Sequence, residues 1–245
     1  MSGKSPEGLR GPIPPIQSAF EWPVRRWSAV GDHTFFEASD FPWVRPLEAG
    51  WRTIRAELDS LLQEQQAIPR LQDIVPGQTR LTRGDMWKAF HFYGYGYRFE
   101  GNCQRCPETV RLIEAVPGMR TAFFSILAPG AHLPPHRGPY KGVLRYHLGL
   151  IVPEPTEECR IRVEQDVAHW EEGKSLVFDD SFEHEVWNGT RGDRVVLFLD
   201  VVRPMVFPGS VYNNLVIALI GLSPFVQLPR WRQRRWNRRK GGPGR

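Results

Sequence analysis

The stretch from His132 to Trp187 constrains the fold most, because its middle alternates with the period of a strand. In VLRYHLGLIVP, Val143, Arg145, His147 and Gly149 share one face, while Leu144, Tyr146, Leu148 and Leu150 share the other. An Arg and a His two residues apart, backed by an apolar face, form a pattern for holding an anion inside a barrel. His136 stands just before this strand, in HLPPHRGPY, and His184 follows it in LVFDDSFEHEVWN. Neutral imidazole is the commonest protein ligand for iron, copper and zinc. Either histidine alone reads equally well as an ordinary core or surface residue. Together, flanking a polar strand, they point to a metal site.

Short runs around this stretch extend the same reading. WKAFHFYGYGYRFEG, TAFFSILAPG, CRIRVEQ, HWEEGKSLVF and DRVVLFLDVVRP are β-branched or aromatic and are bounded by Gly, Asp or Pro. They predict a mainly β protein, a jelly-roll or barrel with helices packed outside. PWVRPLEAGWRTIRAELDSLLQEQ reads as one helix with Leu47, Trp51, Ile54, Leu58, Leu61 and Leu62 on its apolar face. CPETVRLIEAV reads as a short helix with Pro107 in its first turn and Val110, Leu112 and Ile113 turned inward, stopped by Pro117-Gly118. Ser125 is the odd polar residue in its strand, and on its own it reads as a partner for a neighbouring backbone group. Arg194 opens the last strand, either as an exposed end or as a planar fork offered to a carboxylate in the barrel mouth.

The chain of 245 residues suits one such domain with tails: a flexible arm over 1–21, the domain over 22–208, and a helix with a basic tail over 209–245. SVYNNLVIALIGLSP reads as an amphipathic helix capped by Ser210 and stopped by Pro224. The net charge of +5 is concentrated in the tail, where Arg230, Arg232, Arg234, Arg235, Arg238, Arg239, Lys240 and Arg245 accompany Trp231 and Trp236. Such a tail reads either as a solvated end or as a peripheral contact with an anionic membrane surface. No signature of specific nucleic-acid binding accompanies it. Three cysteines, with no second pair to complete Cys103-Gln-Arg-Cys106 as a zinc site, fit a reducing compartment and leave that pair as a structural turn or an incidental disulfide. The N-terminus lacks the apolar run of a signal peptide, and no run has the length of a membrane span, so the expected location is cytoplasmic, with peripheral membrane contact through the tail.

PPHRGPYKGVLRYHLGLIVP, WEEGKSLVFDDSFEHEVWN and DRVVLFLDVVRP together resemble the aspartyl/asparaginyl β-hydroxylase family over roughly Trp87 to Pro204. The resemblance implies a double-stranded β-helix, cupin-like, and an iron(II)- and 2-oxoglutarate-dependent dioxygenase that uses O₂. It implies a substrate that is either a peptidyl Asp/Asn or a lipid acyl chain. It makes His136 and His184 the iron ligands. It sets Ser125 and Arg194 at the distal carboxylate of 2-oxoglutarate, and Arg145 and His147 near the carboxylate that chelates the metal. Most oxygenases of this kind add a carboxylate two residues after the first histidine; here Gly138 stands there, a gap that the family shares. Asp180 is then the candidate to hold a water beside the metal, whereas Asp179, Glu183 and Glu185 read as turn residues pointing away. The competing readings are a cupin-like metal enzyme that uses no keto acid and a binding module on the same barrel.

Overall fold

The computed structural model describes residues 15–63, 68–75, 81 and 84–239. Eleven strands lie among them: β1 Phe35–Phe36, β2 Trp87–Gly94, β3 Tyr97–Arg98, β4 Met119–Leu127, β5 Ala131–His136, β6 Val143–Ile151, β7 Cys159–Val163, β8 Asp166–His169, β9 Ser175–Phe178, β10 His184–Asn188 and β11 Arg194–Val202. They form two antiparallel sheets, a larger one in the order β1-β9-β6-β11-β4-β2-β3 and a smaller one in the order β5-β10-β7-β8. This is the double-stranded β-helix expected from the sequence. Helices α1 Pro15–Trp27, α2 Val44–Ala49, α3 Trp51–Gln63, α4 Leu71–Ile74, α5 Glu100–Cys103, α6 Pro107–Glu114, α7 Gly209–Leu222 and α8 Pro224–Arg239 flank the sheets.

The alternation of β6 decides what each face of the large sheet does. Leu144, Tyr146, Leu148 and Leu150, with Leu197, Leu199 and Val201 of β11, bury against Ile54, Leu58 and Ile113 of the covering helices. Each such side chain removed from water contributes about 1.5–3 kcal/mol. The opposite face meets the small sheet, where Phe123, Val196 and Phe198 pack with Leu133, Ile161, Val163 and Val186. Arg145 and His147 are on this inner face.

Several expectations change. The single helix over residues 42–65 is two, parted at Gly50, whose amide returns to the Pro46 carbonyl at 3.0 Å. A side chain at Gly50 would run into Leu112 of α6, so this junction favours glycine. Leu62 is exposed rather than on the buried face. The arm expected over 1–21 is helical from Pro15, and α1 packs beside α7; residues 1–14 lie outside the described residues. α7 begins at Gly209 after Pro208, so Ser210 lies within the helix rather than capping it; the helix does stop before Pro224, at Leu222, and Pro224 opens a further helix, α8. Cys103 and Cys106 are buried and not joined by a disulfide, which leaves the structural turn of the two alternatives.

Candidate active site

β5 and β10 are neighbours in the small sheet, and their register sets His136 directly opposite His184. The ring centroids are 4.1 Å apart. Each ring is held from behind by the main chain. Nδ1 of His136 lies 2.7 Å from the carbonyl of Pro134, and Nδ1 of His184 lies 3.0 Å from that of Phe182. A carbonyl can only accept, so each Nδ1 carries the proton and each Nε2 keeps its lone pair. Burial pushes His136 down to about 4 and His184 well below its ordinary range, the latter also through the neighbouring His136. Both imidazoles are therefore neutral at neutral pH, the form that binds a metal.

No third ligand joins them: among the described residues no three His, Cys, Asp or Glu are grouped to hold a metal ion. The space beside Gly138 explains why a carboxylate is missing there. Its amide donates to the Asp180 carbonyl at 2.7 Å, and a Cβ at this position would collide with the Asp180 carboxylate. Asp180 is fully buried, and burial raises its carboxyl to about 7 against the opposing pull of Arg145, whose Nη2 stands 2.8 Å away. The same guanidinium reaches Asp200 at 3.1 and 3.2 Å and lies 4.4 Å over the Phe198 ring. Arg145 is thus braced by two carboxylates, of which Asp200 carried no signal in the sequence beyond its place on the last strand.

The remaining expected residues converge deeper between the sheets. Ser125 is opposite Val196, two residues along β11 from Arg194, and His147 is opposite Phe198, so all three side chains share the inner face. Arg194 is buried rather than an exposed strand end. Its Nε and Nη1 have no hydrogen-bond partner, and neither nitrogen of His147 has one. Burial lowers Arg194 to about 10, which still leaves it charged at neutral pH. An unmatched buried donor costs about 1–3 kcal/mol, and more when charged. Such a set is explained by an anionic ligand with oxygen acceptors. Trp170 belongs to the same group, though no local pattern singled it out: the Arg194 guanidinium is 4.4 Å above its ring, and its buried Nε1 also has no partner. Only the rule that a buried indole N–H needs an acceptor could have flagged it. Ser125 is partly engaged, accepting from Trp87 Nε1 at 3.0 Å.

Asp179 proves to be far more than a turn residue. Its carboxylate, fully buried, pairs with Lys141 at 2.7 Å and with Arg203, and it accepts from the Ser181 amide at 2.9 Å. Lys141 also reaches Asp32 at 2.6 Å. This network fixes the turn that carries Asp180 and leads into His184. Glu183 and Glu185 do point away, toward Arg162 at 3.4 and 2.7 Å.

A cavity of about 170 Å³ is lined by His136, Arg137, Arg145, Asp180 and Asp200 together with Leu71, Ile74, Val75, Leu81, Phe99 and Val226. Its outer wall includes α8. Arg230 stacks 3.6 Å over the Tyr97 ring, Gln233 is buried, and Asn237 donates to Asn102 at 3.2 Å. The stretch read as a loose tail is therefore part of the body as far as Arg239, and the rest of it lies outside the described residues.

The two sheets define a cupin-like double-stranded β-helix, and comparison with known proteins narrows the class. Residues 48–204 match the family profile described as aspartyl/asparaginyl beta-hydroxylase, and the chain belongs to this hydroxylase family. It is 44% identical over 202 residues to an ornithine lipid ester-linked acyl 2-hydroxylase of Rhizobium tropici, covering 82% of this chain and 72% of that one. It is 37% identical over 170 residues to the aspartyl/asparaginyl beta-hydroxylase of Homo sapiens, covering 67% of this chain but only 22% of the human one. Solved cupin domains align more loosely, such as that of Schizosaccharomyces pombe Cnp3 at 10% identity and a TM-score of 0.35, over 59% of this chain and 77% of that one.

Proposed function

We propose that the chain is an iron(II)- and 2-oxoglutarate-dependent dioxygenase that hydroxylates a lipid acyl chain. The observation that carries the substrate class is the apolar part of the cavity wall, Leu71, Ile74, Val75, Leu81, Phe99, Phe123, Phe198 and Val226, which continues from a polar part that includes His136, Arg137, Arg145, Asp180 and Asp200. Each methylene taken into such a wall contributes about 0.8 kcal/mol. The relative named for acylated ornithine lipid favours the same substrate class.

The donor set fits the cofactor. His136 and His184 would hold iron(II) through Nε2, which the Pro134 and Phe182 carbonyls leave free. Bound iron and its keto acid supply the oxidising chemistry: 2-oxoglutarate is decarboxylated to succinate as O₂ provides the hydroxyl oxygen. Arg194 and Ser125 would take the distal carboxylate, with the Trp170 N–H beside them, satisfying donors that otherwise have no acceptor. Arg145 and His147 would orient the other end, and Phe178, Trp170 and Phe198, which surround His147, keep water from it. Asp180, its carboxyl raised to about 7 chiefly by burial, would hold a water or pass a proton beside Gly138. Two unmatched guanidinium nitrogens on Arg194 count against a cupin enzyme without a keto acid.

Incubation with iron(II), 2-oxoglutarate and an acylated aminolipid should release succinate and yield a hydroxylated fatty acid by mass spectrometry. Stimulation by an EGF-like peptide and not by lipid would overturn the substrate class. Absence of succinate under every condition would overturn the activity.

A further inference from the structure

Beyond the residues that match the family profile, α7 presents a surface that hydroxylation chemistry does not use. The helix is apolar on both sides, not amphipathic as its sequence suggested. Inward, Ile217 packs with Val24 and Tyr140, and Asn213 is tied to Tyr140 and to the Gly142 carbonyl, each at 2.8 Å. Outward, Phe207, Val211, Leu215, Leu219 and Leu222 follow one another at steps of four, four, four and three, each 59% or more exposed. Those steps keep Val211, Leu215, Leu219 and Leu222 on one side of the helix, with Phe207 in the turn before it. Phe20 and Trp22 are exposed on α1, which α7 meets through a Tyr212 hydroxyl donating to the Phe20 carbonyl at 3.1 Å. Contiguous apolar surface of this kind marks an interaction site.

Along α7 and α8 the charge has a single sign. No Asp or Glu follows Asp200 in the sequence, while Arg234, Arg235 and Arg238 are exposed on α8. Arg235 lies 5.3 Å over the ring of Trp231, itself exposed. A second copy of this surface would bring arginines against arginines, whereas an anionic bilayer offers apolar depth and phosphates together. Among the described residues no single helix is long and apolar enough to cross a membrane.

We propose that the outer stripe of α7 docks into the acyl boundary of an anionic bilayer, with the exposed arginines of α8 at the headgroup phosphates. Since α8 also contributes Val226, Pro229 and Arg230 to the cavity wall, docking sets the cavity at the depth where acyl chains begin. The site is thus centred on α7, and the tail contributes through its outer arginines; Arg230 and Arg232 are engaged inward, over Tyr97 and at the Asp73 carbonyl. What docking serves rests on the acyl-lipid reading, while the binding itself is measured without turnover.

The test is co-sedimentation of the full chain with phosphatidylcholine vesicles, with and without phosphatidylglycerol, at rising salt. Wild type should bind the anionic vesicles, and Leu215→Glu with Leu219→Glu should lose about tenfold or more of that binding at an unchanged melting temperature. Replacing Arg234, Arg235 and Arg238 by Gln should weaken binding and flatten its salt dependence. Brominated acyl chains should quench tryptophan fluorescence in the wild-type protein, a readout that needs no variant. Binding unaffected by the Glu substitutions, no binding by wild type, or a wild-type dimer that the Glu substitutions dissociate would each overturn the proposal. Keto-acid turnover, measured separately, decides the hydroxylase reading, and either can fail while the other stands.

Discussion

The two faces of the large sheet are made by the same strands and do opposite work. On the helix-covered face, β6 and β11 present Leu144, Tyr146, Leu148, Leu150, Leu197, Leu199 and Val201, all buried among apolar neighbours. On the inner face the alternate residues are Arg145, His147, Arg194 and Asp200, with Ser125 from β4. One face lowers the energy of the fold, and the other carries buried donors that raise it. A strand with period two lets stability and chemistry be divided residue by residue, without a separate loop for either.

Substitution can break that division at each level. The largest effect is expected at the metal ligands: His136→Ala or His184→Ala should abolish hydroxylation and metal binding, read by calorimetry with manganese, because each imidazole is half of the anchor. Keto-acid turnover surviving in either variant would undo the site. On the opposite face Leu148→Ala should lower unfolding free energy by about 2–5 kcal/mol, read by urea denaturation, through lost burial and the cavity left behind. Arg194→Ala should do the reverse of Leu148→Ala. It should raise the 2-oxoglutarate requirement by tens-fold, the lower end of about 2–5 kcal/mol for a broken buried charge pair. Without keto acid it should melt no earlier than wild type, since an unmatched buried cation has been removed. Lys at this position should rescue only in part, lacking the fork. A clear drop in stability would make Arg194 a residue of the fold.

The smallest effect sharpens the comparison through pH. His91 and His136 are held down to about 4, and His147 and His184 well below 6.5, all chiefly by burial on the inner side. Below 6.5 the unfolded chain takes up protons that the folded chain refuses, so stability falls as pH drops from 6.5 toward 4. Asp180, raised to about 7, works in the opposite direction, but it is one group against four. Denaturation midpoints across this window check the slope, and a flat profile would mean these histidines are not held neutral in the fold.

How much of this was legible in the sequence depends on how local each feature is. The alternation of β6 and the positions of His136 and His184 were readable, because pattern and chemistry sit within single short runs. Arg194 and Ser125 gained a role only through family resemblance, since nothing local separates a buried strand end from an exposed one. The network of Asp32, Lys141, Asp179 and Arg203 draws on four separate stretches, so Asp179 looked like a turn. The break at Gly50 depends on where Leu112 of another helix passes. α8 escaped notice because its composition is that of a solvated end, while a few residues, among them Val226, Gln233 and Asn237, fasten it.

The carbonyls behind the two histidines also bear on how the site withstands mutation. A ligand steered by a neighbouring carboxylate loses its orientation when one codon changes. His136 and His184 are steered by the main chain at Pro134 and Phe182, and every amino acid brings the same carbonyl. Substitutions at 134 and 182 that preserve the local backbone should therefore leave the direction of both Nε2 lone pairs intact. The metal-facing geometry is inherited with the path of β5 and of the turn into β10, so lineages can drift at these two positions while the imidazoles keep their aim.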